Sequence, residues 1–206
     1  MNSKKFLPVA AAAVAAAFAL AGCASGGSGS SGTSMPGMDH GSSSSTAAAT
    51  ANNGASDHNT ADVMFAQMMI PHHAQAVEMS DMILKKQDIP VEVTSLATQI
   101  KAAQGPEIEK MTGWLTAWGE AAHMPSGHSM DGMMGTDDMS KLEAAKGLEA
   151  AKLFLTQMIT HHEGAVTMAK TESKDGKSSE AVQLSKDIVS SQEAEIQEMK
   201  KLLTTL

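Results

Sequence analysis

Two adjacent histidines occur twice in this 206-residue chain, each time in the same surroundings. Residues 65–79 read FAQMMIPHHAQAVEM and residues 154–168 read FLTQMITHHEGAVTM. Phe65, Met69, Ile70, His72, His73, Ala76, Val77 and Met79 reappear at a constant offset as Phe154, Met158, Ile159, His161, His162, Ala165, Val166 and Met168. Imidazole is the commonest metal-ligating side chain, and the methionine thioether is a soft donor suited to Cu(I). Metal handling is therefore the first chemistry to test. Cys23 is the only cysteine, so any metal held away from it must rely on His, Met, Asp, Glu or Gln.

The elements that would position these donors are helices. Apolar periodicity predicts a first helix over about 60–87, broken at Ile89-Pro90 because proline disfavours helical geometry in the residue before it. A second should start near Pro90, which suits a first helical position, and reach about Ala122. The segment from His123 to Thr136, with Pro125, Gly127, Gly132 and Gly135, reads as loop. A third helix is expected to begin at an Asp137 or Asp138 N-cap and to run unbroken to about Lys174, with Gly176 as its C-cap. A fourth should cover about 178–203. The repeat continues into the second and fourth helices, where Leu96, Ile100, Gln104, Glu107, Ile108 and Met111 recur as Leu184, Ile188, Gln192, Glu195, Ile196 and Met199. The unit is a helical hairpin, and two hairpins that bury their apolar stripes together make an all-α four-helix bundle.

At roughly 100° per residue, His72 and His73 fall about 60° and 40° to either side of Met69 on the buried face, and His161 and His162 do the same around Met158. On the second helix the stripe is Leu96, Ile100, Ala103, Met111, Trp114 and Trp118, with Glu107 in its middle. Glu195 holds the matching place on the fourth. A carboxylate on a core-facing stripe is costly unless paired or metal-bound. In an antiparallel hairpin, residues equidistant from the turn lie level. His73 and Glu107 are centred on Pro90, and His162 and Glu195 on Ser178–Ser179. One polar layer of four histidines and two glutamates is therefore expected, with Gln104 and Gln192 one turn away as supporting partners. Three readings of that layer stay open: a bound cation, two self-sufficient His–Glu hydrogen-bonded pairs, or a pocket for another polar ligand.

Seventeen methionines is a high number for this length. Those inside helices, Met64 and Met68 among them, are expected to fill an irregular core. Met79 and Met168 stand apart, each seven residues after the first histidine of its pair. In the loop, Met124, Met130, Met133 and Met134 alternate with His123 and His128 where there is little core to fill. MPGMDHG at 35–41 echoes them. Flexible His/Met clusters suit copper, and silver equally.

The N-terminus reads as a targeting segment: Lys4 and Lys5, an apolar stretch from Phe6, then Leu20-Ala21-Gly22-Cys23. LAGC resembles a bacterial lipobox, which implies cleavage before Cys23 and a lipid upon it, hence a membrane anchor. Residues 1–22 are thus expected to be a signal peptide and 23–59 a Ser/Gly/Ala-rich tether that cannot offset its ordering entropy. Residues 60–206 are left as the folded domain. The chain has a formal charge of −8 and no arginine, which argues against nucleic-acid binding.

The paired M-I-x-H-H-x-x-A-V-x-M motifs, each followed by Q-x-x-E-I-x-x-M, resemble the bacterial domain-of-unknown-function family number 305 over about Asp62 to Leu203. The resemblance implies a ferritin-like bundle in a secreted or membrane-anchored protein. Some members of that family bind copper, which implies ligand roles for His72, His73, Met79, Glu107 and Met111 and for His161, His162, Met168, Glu195 and Met199. No glutamate stands three residues before any of the four paired histidines, so the repeated motifs depart from the Glu-x-x-His pattern of di-iron bundles. The expectation is an extracytoplasmic, lipid-anchored protein that binds copper as Cu(I), with no catalytic residue assigned. The rival expectations are a redox-active metal enzyme and a metal-free surface interaction bundle.

Overall fold

The computed structural model describes residues 57–123 and 130–206. These residues form α1 (Thr60–Leu84), α2 (Val91–Trp118), α3 (Thr136–Ala144), α4 (Gly147–Asp175) and α5 (Ser179–Thr205), with no strand among them. Cys23, the expected leader and the expected tether up to residue 56 lie outside the described residues; the last residue of that tether, Asn59, is the N-cap of α1. α1 pairs with α2 and α4 with α5, and the two hairpins meet mainly along α1 and α4. No helix among the described residues is long and apolar enough to cross a membrane.

The predicted third helix is two helices. α3 stops at Ala144, Ala145 and Lys146 are extended, and Gly147 opens α4 at φ +52°. Glycine enters that left-handed region without the steric cost a Cβ imposes. Lys86 Nζ holds the corner from outside by donating to the carbonyls of Glu143 (2.7 Å) and Ala145 (2.9 Å). The N-cap of α3 is Gly135 rather than Asp137 or Asp138. Pro90 caps α2 instead of opening it. Ala103, expected inside, is exposed, and the next residue, Gln104, takes the inward place.

The buried apolar residues form two clusters. One holds Met79, Ile83, Leu96, Ile100, Phe154, Met158 and Met199. The other holds Phe65, Met69, Met111, Trp114, Leu184 and Ile188. On each long helix the chain passes from one cluster to the other through polar residues: His72 and His73 on α1, Gln104 and Glu107 on α2, His161 and His162 on α4, Gln192 and Glu195 on α5. The expected polar layer therefore exists, and it divides the core in two.

The N-terminus of α1 is tied to the α4–α5 turn. Asn59 and Asp62 make a capping box, and the same Asp62 carboxylate accepts from the backbone N–H groups of Lys177 (3.0 Å) and Ser178 (2.9 Å). Buried Glu172 lies against it. Burial, followed by its hydrogen bond to Asp62, raises the Glu172 carboxyl to about 8, so at neutral pH it is the neutral donor of the pair. Burial alone would raise Asp62 too, but the Glu172 bond and three backbone N–H groups outweigh it and hold Asp62 below the usual carboxylate range. A carboxyl with a raised native value binds its proton more tightly when folded. Its contribution is complete below pH 4.5 and declines as pH rises towards 8. Glu172→Gln keeps a neutral donor and removes this titration. The variant should melt above the wild type at pH 8, with the gap closing by pH 4 in paired thermal scans.

Candidate metal centre

α1 and α4 run antiparallel and bring the two histidine pairs to one level, where all four side chains are 0–1% exposed. His73 Nε2 lies 2.8 Å from Glu107 Oε2, and His162 Nε2 lies 2.6 Å from Glu195 Oε2. The levelling expected from the hairpin midpoints is thus observed in both halves. An imidazole that donates Nε2–H to a carboxylate keeps its lone pair on Nδ1. The Nδ1 atoms of His73 and His162 are buried and have no hydrogen-bond partner. This is the arrangement by which a carboxylate fixes the tautomer of a metal-ligating histidine.

His72 and His161 face each other across the seam, with ring centroids 3.7 Å apart and planes tilted by 39°. His72 Nε2 is 3.3 Å from the carbonyl oxygen of Asp131. His72 Nδ1 and both ring nitrogens of His161 are buried without a partner. Burial, and then the neighbouring imidazoles, lower His72 to about 3 and His161 to about 2, so both rings are neutral at physiological pH. A neutral imidazole is the form that ligates metals. Five buried ring nitrogens without partners fit a soft or borderline cation. Gln104 and Gln192 are buried in the same layer, and both amide atoms of Gln104 lack partners. Among the described residues no three His, Cys, Asp or Glu side chains converge as a ready ligand set. Glu107 and Glu195 each face a histidine rather than a shared centre.

The residues after the undescribed stretch 124–129 cover this layer, a feature absent from the sequence expectations. Gln75 makes two hydrogen bonds with the backbone of Met134, donating to its carbonyl at 2.9 Å and accepting from its N–H at 2.7 Å. Gly132, at φ +84°, lies against the α4 backbone at Thr160, His161 and Gly164. A Cβ on Gly164 would collide with the Asp131 carbonyl, so the loop backbone can approach only because that position is glycine. The Gly164 signal was present in the sequence, where the first motif has Gln75 instead.

The other expected donors are dispersed. Met79 is fully buried in the first apolar cluster, and half-buried Met168 lines a groove between α1 and α4. Met111 and Met199 are core residues of opposite clusters. Met130, Met133 and Met134 are half-buried in the covering loop, and His123 is exposed. Met124 and His128 lie outside the described residues.

Residues 62–203 match the family described as Domain of unknown function (DUF305). The chain belongs to that family. A DUF305 protein of Streptomyces coelicolor, thought to be secreted, is 36% identical to it, with TM-score 0.67 and coverage of 70% of this chain and 93% of that one. A DUF305 fragment from Deinococcus radiodurans is 30% identical, with TM-score 0.66 and coverage of 72% and 98%. CopM in a Cu(I)-bound form is 34% identical, with TM-score 0.59 and coverage of 70% and 96%. CopM has also been solved with Cu(II) and with Ag bound. No functionally curated protein sequence matches the chain significantly.

The close backbone approach generates a prediction. Gly164→Ala should lift the covering loop without touching any histidine. Overpacking of this kind costs about 1–3 kcal/mol, to be read by chemical denaturation. Modification of His72 and His161 by diethyl pyrocarbonate, followed by peptide mass spectrometry, should become faster than in the wild type.

Proposed function

We propose that this protein is an extracytoplasmic copper-binding protein, anchored by a lipid on Cys23, whose bundle holds Cu(I) at the histidine layer. One observation carries the reading: His161 is fully enclosed, kept neutral, and has no partner for either ring nitrogen. A buried polar atom left without a partner costs about 1–3 kcal/mol. Coordination would remove that cost, and the neighbouring His72, His73 and His162 add buried Nδ1 donors. In this reading His72, His73, His161 and His162 are the ligand candidates. Glu107 and Glu195 orient His73 and His162 and contribute negative charge, without binding the ion themselves. Copper is cargo to be captured and retained in this reading, and no residue is assigned a catalytic role.

The family relationship and the copper- and silver-bound CopM structures support the choice of metal. So do the donor types, since imidazole and thioether favour copper over the hard cations that carboxylates and water select. The four-helix, ferritin-like architecture of two repeated hairpins belongs to the same proposal, as does the division into leader (1–22), tether (23–59) and bundle (60–206). His123, Met124, His128, Met130, Met133 and Met134, with the MPGMDHG stretch, would catch ions outside the bundle and raise their local concentration.

Thermal melts with Ag(I), a redox-inert surrogate, and with Cu(I) under anaerobic conditions test the proposal. An ion that binds only the folded state at a hundred times its Kd stabilises by about 2.7 kcal/mol. The wild type should show a rise of that order and His161→Leu a clearly smaller one, while both keep the same helical circular dichroism. An unchanged wild-type melting temperature with both ions would exclude the histidine layer as a copper site.

A further inference from the structure

Towards the N-terminal end of α1 and the C-terminal end of α4, a groove of about 450 Å3 lies between the two helices, and Met64, Phe65, Met68, Met168, Glu172 and Asp175 are among its lining residues. Three of these carry thioethers. Met64 and Met68 are four residues apart and so share one face of α1, and Met168 comes from α4 opposite. Met168 packs against the second apolar cluster, but Met64 is 44% exposed and Met68 only half-buried, so core filling does not by itself account for three thioethers at this place.

The internal repeat supplies a control. At the constant offset of the motifs, Met64 and Met68 correspond to Leu153 and Gln157, and Met168 corresponds to Met79. Met79 is fully enclosed in the core. Neither the duplicated motif nor the packing of the bundle therefore calls for three sulfurs at this place. Glu172, protonated against Asp62, adds no charge here, and Asp175 gives the groove an anionic rim that favours a cation.

We propose that this groove binds one monovalent soft cation, Cu(I) or Ag(I), through the sulfur atoms of Met64, Met68 and Met168, as a site separate from the histidine layer. Thioether sulfur is a neutral, soft donor. Three of them without thiolate or imidazole select Cu(I) and Ag(I) over divalent zinc or copper. Met68 precedes His72 by four residues and Met168 follows His161 by seven. At 1.5 Å per residue the groove is displaced from the layer by roughly 6–10 Å along the helices. The two sites lie on the same two helices but share no ligand, and occupancy of one does not require the other.

The test uses the full chain with 13C-methyl methionine and Ag(I) as the probe. Met64→Leu, Met68→Leu and Met168→Leu, each close to volume-conserving, assign the three methyl signals by their loss. On titration these three signals should shift together in the wild type and in His161→Leu, and should not move with Zn(II). The triple leucine variant should bind one Ag(I) fewer than the wild type. Saturating Ag(I) that leaves the three methyl signals in place, or a triple variant with unchanged stoichiometry, overturns the proposal. Shifts in the groove together with unaltered Ag(I)-induced stabilisation in His161→Leu would retain this site and remove the histidine layer instead.

Discussion

Four imidazoles are enclosed across the middle of a helical bundle, and the rest of the fold is arranged around the cost of keeping them there. Each buried polar atom left without a partner forfeits its hydration, and a half-satisfied polar layer is worse for stability than an apolar core. Here two of the rings are satisfied on one side only, by Glu107 and Glu195, and His161 is not satisfied at all. The two apolar clusters above and below the layer must supply the compensating stability. Met79, Leu96, Ile100 and Phe154 on one side and Phe65, Met69, Met111 and Ile188 on the other form near-complete cores in their own right.

The duplication explains how such a layer arises, and its departures from symmetry show where the two halves differ. Each hairpin brings a His-His pair and a glutamate to the same height, so two copies give two carboxylate-oriented histidines and one tilted, closely facing pair at the seam. The halves then diverge. Pro71 interrupts the donor ladder of α1 where α4 has Thr160, and α1 nevertheless continues through it. Gln75 holds the covering loop by its side chain, whereas Gly164, at the matching position, admits that loop by having none. The enclosed Met79 and the groove-lining Met168 are the same motif position in two surroundings.

The protonation states follow from this enclosure. Water is kept from His72 and His161, and each lies beside other imidazoles, so the charged form is disfavoured twice. The same principle acts in the opposite sense on Glu172, where burial and the Asp62 carboxylate keep an acid protonated. One fold therefore holds bases as neutral acceptors and an acid as a neutral donor, in both cases by withholding solvent.

Periodicity, the repeat and the hairpin midpoints were enough to read the four long helices, their pairing and the meeting of His73 with Glu107 and of His162 with Glu195. All of these depend on local propensity and on the constant rise of a helix, which a sequence expresses directly. The break at 145–147 was not legible, because it depends on Lys86 reaching across from another turn to take the carbonyls of Glu143 and Ala145. Nor was the contact of His72 with the Asp131 carbonyl, the link from Asp62 to the α4–α5 turn, or the gathering of Met64, Met68 and Met168 in one groove. These join residues 59 to 116 positions apart, or roughly a hundred for the methionines, and such distant pairs are brought together only by the way the two hairpins pack. The sequence by itself determined which donors exist and which helix face carries them. The tertiary structure alone decided which nitrogens are left without a partner and which sulfurs share a groove, because that depends on which neighbour arrives from the other half of the chain.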